Sequence, residues 1–237
     1  ASDVYKRQSK RNVSEEILSF DEYLQLVQQE PWVTRDTFQL LHDMLLSSGV
    51  DHAISPGKPI KHHYQFFENS DRVGAYVVFG QQKAKENLVE KINNASRGLE
   101  ASKRLWILLG PPGAAKSRSM EGIKLALKQY SHSEEGKTHT LLLPTVDKRL
   151  RDQALFEEEG IFYLQSPLFE KPLQVLPEET RKAFASEIVS GTDQEILKEW
   201  LANHSHYDKE FSVTISGRLS PYSEYVLRDF MRMKDIS

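Results

Sequence analysis

Apolar residues recur at helical spacing in some stretches of this chain and in short unbroken runs in others. Phe20, Tyr23, Leu24 and Val27 share one helical face, and Ser19 with Glu22 ahead of them fits a capping box. Pro31 ends that helix. Thr34 can cap a second one through Phe38, Leu41 and Leu45, which Gly49 stops. Residues 13–49 thus predict two or three helices whose aromatic and leucine positions are core. A connector carrying Pro56, Gly57 and Pro59 follows, and then a helix from about Lys83 to Arg97. Its face is Ala84, Leu88, Ile92 and Ala95, and Gly98 is its stop. Leu105–Leu109 is an apolar run too short for a helix and predicts a buried strand, while Met120, Ile123, Leu127 and Tyr130 again keep helical spacing.

Beyond a polar loop at 131–137, Thr138–Leu143 predicts a second short buried strand broken by Pro144. Residues 150–160 are charged and predict a helix with Glu157, Glu158 and Glu159 solvated, and Ile161–Leu164 suits a strand. Pro167, Pro172 and Pro177 punctuate a long loop. Helices are expected over 178–189 and 194–201, a short strand over Phe211–Ile215, and an amphipathic helix over 222–231.

Chemistry concentrates where the Leu105–Leu109 run turns into the next helix. Gly110 and Gly113 can take positive φ, so the chain can curl and aim successive backbone N–H groups into one concavity. That concavity would open on a helix N-terminus, whose unpaired donors and dipole favour phosphate. Lys116 would reach the β- and γ-phosphates of a nucleotide, and the Ser117 hydroxyl would join the shell of a Mg²⁺ ion. The candidate nucleotide site is therefore Gly110, Pro111, Pro112, Gly113, Ala114, Ala115, Lys116, Ser117 and the adjoining Arg118, with Ser117 also the candidate metal ligand. The other reading is a glycine-rich turn with an ordinary surface lysine. Ala115 departs from the G-x-x-x-x-G-K-[ST] pattern, which has glycine there. If the loop requires positive φ at that position, the methyl group costs ~1 kcal/mol or more.

A P-loop enzyme also needs an acidic partner at the end of a second buried strand. Leu141–Leu143 reaches Asp147 only after Pro144, Thr145 and Val146, and Ile161–Leu164 runs into Gln165 and Ser166. His-Arg-Asp, Asp-Phe-Gly and Val-Ala-Ile-Lys are absent, which excludes the ordinary protein-kinase set. His62-His63 lie side by side and cannot face one ion from a strand, so aromatic packing with Tyr64, Phe66 and Phe67 is the expectation there. His204, His206 and Asp208 alternate but lack a fourth ligand, and read as a polar loop.

Composition narrows the class. The 237 residues are 39% hydrophobic and 27% charged, as in an ordinary globular protein, and suffice for one large domain or two small ones. A net charge of −3 argues against nucleic acid as the main partner. Without cysteine, disulfides and thiolate zinc sites are excluded. No run approaches the ~20 apolar residues of a membrane span, and the N-terminus lacks the apolar core of a secretion signal. A cytoplasmic location is the expectation. Lys6, Arg7, Lys10 and Arg11 mark a basic tail, and the opening Ala1–Gln8 is similar to translated adaptor sequence, so residues 1–12 are set aside. The end of the chain at Ser237 is read as that of a fragment.

Several of these stretches carry a family resemblance. The Gly-Pro-Pro-Gly lead-in resembles the loop of AAA-type ATPases, in which an apolar-Gly-Gln segment like Ala75–Gln81 lies beside the adenine. On that likeness Val78, Phe79 and Gly80 are candidates for the base pocket; the other reading makes them core. Phe66-Phe67-Glu68, then Phe79-Gly80, Ala95–Glu100 and the Leu108–Ser117 loop resemble, in that order, the N-terminal AAA-type domain of the PrkA serine protein kinase family. Ser166–Leu173 is similar to that family's Pro-x-x-Glu-x-Pro-Leu segment, with Phe169-Glu170 near its acidic position. Gly217–Pro221 is similar to its Gly-Asp-Leu-Cys-Pro element, with Ser220 for cysteine.

The resemblance implies an α/β fold with a P-loop NTPase (AAA-like) core over residues 75–237, preceded by a helical segment and connector over 13–74. It implies ATP and Mg as cofactors, a nucleotide partner, a possible protein substrate and a possible homo-oligomer; composition, as above, leads to the expectation of no nucleic acid and no membrane. The serine protein kinase (transferase) activity comes from the resemblance alone. Two other functions stay open: a non-hydrolysing nucleotide sensor or scaffold, and a small-molecule P-loop kinase with Asp147 as base.

Overall fold

A computed structural model describes residues 17–53, 61–204, 207, 211, 213, 215 and 217–234. In chain order these form α1 (Phe20–Gln29), α2 (Thr37–Leu46), the strands β1 (Val50–Ala53) and β2 (Lys61–Tyr64), α3 (Gln82–Ser96) and α4 (Lys116–Tyr130). There follow β3 (Leu142–Thr145), β4 (Phe156–Glu158), β5 (Ile161–Gln165), α5 (Glu178–Gly191), α6 (Gln194–Asn203) and α7 (Pro221–Met233). The class is α/β. The chain divides into two units, Arg35–Lys137 and a discontinuous one of residues 1–34 with 138–237. The boundary at residues 74 and 75 suggested by the sequence falls inside the first of these.

In the 35–137 unit, α2, α3 and α4 enclose a core of Leu40, Met44, Leu45, Phe66, Phe67, Val89, Ile92, Ile123 and Tyr130. The cap of α2 is Asp36, which exchanges hydrogen bonds with Gln39 in a capping box, rather than Thr34. The Thr34 hydroxyl instead donates back to the Pro31 carbonyl at 2.6 Å. Gly49 and Gly98 end their helices with φ of 96° and 70°. β1 and β2 pair antiparallel with His52 opposite His62. His62 meets His52 (Nδ1 to Nδ1, 3.0 Å), whereas His63 contacts Gln82 (2.6 Å) and Glu68 (3.6 Å). The two neighbours thus serve opposite strand faces.

Arg35 and Asp43 form an ion pair with both side chains about 1% exposed. The Arg35 guanidinium also donates to the Glu135 carbonyl, so one side chain ties the beginning of the unit to its end.

The predicted strand at Leu105–Leu109 is not realised as a paired strand. Among the described residues its backbone makes no hydrogen bond, and neither antiparallel sheet includes it. Trp106 alone turns inward, against Phe38, and donates from Nε1 to the Ala101 carbonyl. Leu105 and Leu109 stand 88% and 89% exposed. An apolar run becomes a strand only when an edge is available to pair with it.

The second unit packs α1, α5 and α6 around Tyr23, Val27, Leu173, Ile188, Leu197 and Phe211. The expected Ser19–Glu22 capping box starts α1. Trp32 and Trp200 stack at 5.2 Å, and His204 stacks on Trp200 at 4.0 Å. His206 and Asp208, parts of Phe211–Ile215, the basic tail and the Pro56–Pro59 connector lie outside the described residues. A three-stranded sheet in the order β3-β5-β4 carries α7, with Leu143, Leu164 and Val226 between them.

Two expectations are corrected here. Pro144 lies within β3 rather than breaking it, because β3 is an edge strand and one of its sides needs no donor. Residues 150–160 are not a helix. A 3-10 turn at Lys148–Gln153 leads into β4, and Glu159-Gly160, both at positive φ, turn it back into β5 as a tight hairpin.

Glu170 is buried in this unit. Its carboxylate accepts from the Ser166 hydroxyl at 2.5 Å, from the Ser223 hydroxyl and from the Ser220 N–H at the cap of α7. Burial works against its charge, but these hydrogen bonds outweigh it and hold the carboxyl below its ordinary range. A depressed folded-state pKa gives stability that is complete above the unfolded value and lost as pH falls through the folded one. Glu170→Ala is therefore expected to destabilise this unit by about 2–3 kcal/mol at neutral pH. In urea titrations the difference from the parent should shrink as pH falls through the ordinary glutamate range and below it. A difference that is constant with pH would contradict the assignment.

Candidate nucleotide site

The loop before α4 is curled. Gly113 has φ of 80°, and the Ala114 N–H closes a turn onto the Pro111 carbonyl at 3.3 Å. Ala115 then sits in the left-handed region (φ 50°, ψ 16°) and caps α4, its carbonyl accepting from the Ser119 N–H at 2.8 Å. No side chain caps this helix, which leaves the first-turn N–H groups directed at the loop. The Lys116 amine lies inside the curl and donates to the Gly110 and Pro111 carbonyls, both at 2.7 Å. Ser117 is exposed on the first turn.

Arg118 adjoins the loop on the first turn of α4, and its side chain points elsewhere. It reaches away from the loop to the Val77 carbonyl (Nε, 3.0 Å) and the Ala75 carbonyl (Nη2). This brings the 75–80 segment to the loop helix. Gly122 lets the two approach closely, since a Cβ there would stand 3.2 Å from those of Val73 and Tyr76. Of the three base-pocket candidates, Val78 is buried and donates its N–H to the Phe67 carbonyl at 2.9 Å, while Phe79 and Gly80 are exposed. Gly80 turns the chain into α3 with φ of 71°.

Lys85 was not among the expected residues. Its amine, nine-tenths buried or more, donates to the Val78 carbonyl at 2.7 Å and pairs with Glu68 at 3.2 Å. The signal was available: Lys85, Val89 and Ile92 keep helical spacing, and this stripe, rather than Ala84 and Leu88, is the buried face of α3.

Asp147 and Glu170 belong to the other unit. Asp147 caps the 148–153 turn and binds the Arg149 guanidinium at 2.7–3.0 Å. Its hydrogen bonds from the Arg149 side chain and backbone hold its carboxyl below the usual range. A general base works best with a pKa near the operating pH, so this shift runs the wrong way. Among the described residues no group of three or more His, Asp or Glu side chains could hold a metal ion, and no helix is long and apolar enough to cross a membrane.

A family model described as the PrkA AAA domain matches residues 18–191. The chain belongs to this family. The ATP-dependent protease PrkA of Bacillus subtilis is 24% identical over 190 residues, covering 78% of the chain and 25% of that protein. The chain thus spans about a quarter of that relative's length. A protein of Geobacillus stearothermophilus described as uncharacterized, from the gldA 5′ region, is 26% identical over 108 residues, 44% of the chain and 99% of that protein. No solved structure matches the chain significantly. Membership of the PrkA AAA family identifies a nucleotide-binding module, and the loop's chemistry fits one: uncapped N–H donors, a lysine amine inside the curl and an exposed serine beside it.

Ala115 carries a testable cost. An alanine at positive φ is strained by ~1 kcal/mol, which glycine's extra chain entropy offsets only in part. Ala115→Gly should raise stability by roughly 0.5 kcal/mol and tighten Mg-ATP binding, read by thermal melting and calorimetry. Unchanged affinity would show that the methyl group does not hinder the phosphate.

Proposed function

We propose that the chain carries an ATP- and Mg²⁺-binding P-loop module of AAA type within a larger PrkA-like protein. The observation that supports it best is the Lys116 amine, held by the Gly110 and Pro111 carbonyls of the curl at the uncapped start of α4. In this reading phosphate oxygens replace the Gly110 and Pro111 carbonyls as its partners, and loop N–H groups supply further donors. The Ser117 hydroxyl is the protein's ligand to Mg²⁺, which supplies charge neutralisation on the phosphates. Val78, Phe79 and Gly80 form the base side.

ATP in this family could drive either of two activities. The family resemblance points to serine protein kinase activity, while the Bacillus relative's name describes an ATP-dependent protease. Both use ATP, and either would engage a protein substrate in the whole protein; assembly into a homo-oligomer is compatible with both. A non-hydrolysing sensor or scaffold is favoured by one observation, the left-handed alanine where the loop pattern has glycine. The committed geometry and lowered pKa of Asp147 give a small-molecule kinase little support.

Calorimetric titration with Mg-ATP tests the module, with saturable binding expected; absence of binding overturns it. Phosphate release by the same protein separates hydrolysis from sensing.

A further inference from the structure

Peptide carbonyls along the 75–80 segment are held by cationic side chains from two helices. Arg118, on the first turn of α4, takes those of Ala75 and Val77, and Lys85, on the first turn of α3, takes that of Val78. The Val78 N–H is committed to Phe67. Among the described residues the next peptide groups, those of Phe79 and Gly80, make no hydrogen bond, and the Phe79 ring is 74% exposed.

Lys85 occupies a position that an apolar side chain would fill without electrostatic cost. Burying an ammonium is expensive unless it is paired and hydrogen-bonded, and pairs of this kind are often replaceable by hydrophobic residues without loss of stability. Glu68 neutralises the charge. The bond to Val78 adds something neutralisation does not require: it fixes a peptide plane at the edge of the candidate base pocket.

We propose that Lys85 and Arg118 are positioning residues that set the register in which the base is read, and so select adenine over guanine. The inference rests on the nucleotide-binding reading above. The Watson–Crick edge of adenine offers a donor, its amino group, beside an acceptor, N1; guanine offers an acceptor beside a donor. With the carbonyls of 75, 77 and 78 held, the open peptide groups of Phe79 and Gly80 are those next along the chain, and the order in which they present donor and acceptor is fixed. A site with fixed polar groups rejects a ligand that leaves them unpaired or opposed. Releasing the Val78 carbonyl leaves the tethers at Ala75, Val77 and the Val78 N–H in place but lets the peptide planes that follow, at Phe79 and Gly80, turn to meet either edge, while contacts to the phosphates stay with the loop.

The test titrates the whole chain with Mg-ATP, Mg-GTP and Mg-tripolyphosphate. The parent should prefer ATP to GTP by about tenfold or more. Lys85→Met should bring the two within about threefold, while tripolyphosphate affinity stays within about twofold. A folded Lys85→Met protein that keeps the parent's preference overturns the inference, as does a parent with no preference. Should Lys85→Met fail to fold, Glu68→Gln replaces it, since this change keeps an acceptor but removes the charge that steadies the amine. A reduced ATP-to-GTP ratio then supports the inference, and an unchanged one overturns it. Loss of tripolyphosphate and ATP binding in the parent is a different result, because it removes the nucleotide reading itself.

Discussion

Lys116→Ala is expected to abolish measurable Mg-ATP binding while leaving the fold intact. The side chain is half-buried and its amine bonds to loop carbonyls, so its removal deletes no core contact. Against a triphosphate the same amine is the cation nearest the charge. Truncating one partner of a desolvated, hydrogen-bonded charge pair costs about 2–5 kcal/mol, a loss of between about 30-fold and several thousand-fold in affinity. Calorimetry reads the loss, and far-ultraviolet circular dichroism checks that α4 persists. Full binding by the alanine variant would mean that phosphates, if bound, do not lie in this curl.

Arg35→Met should have the largest effect on stability. The guanidinium and the Asp43 carboxylate neutralise each other where water does not reach. Removing one partner takes the opposite charge away from a buried one, and breaking a buried pair in this way costs about 3–5 kcal/mol. It also releases the Glu135 carbonyl, and with it the closure between the two ends of the 35–137 unit. The double variant Arg35→Met/Asp43→Leu should recover most of that loss, since exchanging a whole buried pair for apolar residues is often neutral. Urea unfolding of the parent, both single variants and the double variant provides the cycle. Additive losses would contradict the pairing.

Features written in local chemistry were legible in the sequence. The Ser19–Glu22 box, the stop before Pro31 and the glycine ends at 49 and 98 each depend on a few neighbouring residues, and each is present. The curl from Gly110 to Ala115 was readable for the same reason. Features set by distant partners were not. Leu105–Leu109 has the composition of a strand, but pairing depends on an edge elsewhere in the chain. Pro144 looked like a strand breaker because its edge position could not be known beforehand. The charges of 150–160 masked the Glu159-Gly160 turn, and Asp36 outcompeted Thr34 as a cap through its reciprocal bond with Gln39. Around the site, Lys85 was not singled out because its partners, the Val78 carbonyl and the Glu68 carboxylate, lie outside its own helix, and the Arg118 bonds to the 75–77 carbonyls join positions about 40 residues apart.

The bare peptide edge at Leu105–Leu109 bears on how this protein behaves at high concentration. A segment with exposed apolar side chains and open N–H and C=O groups is a template for cross-strand association between molecules. Crowded preparations are thus prone to cling to one another through this ribbon, and a charged residue in place of Ile107 is the simplest way to keep them apart.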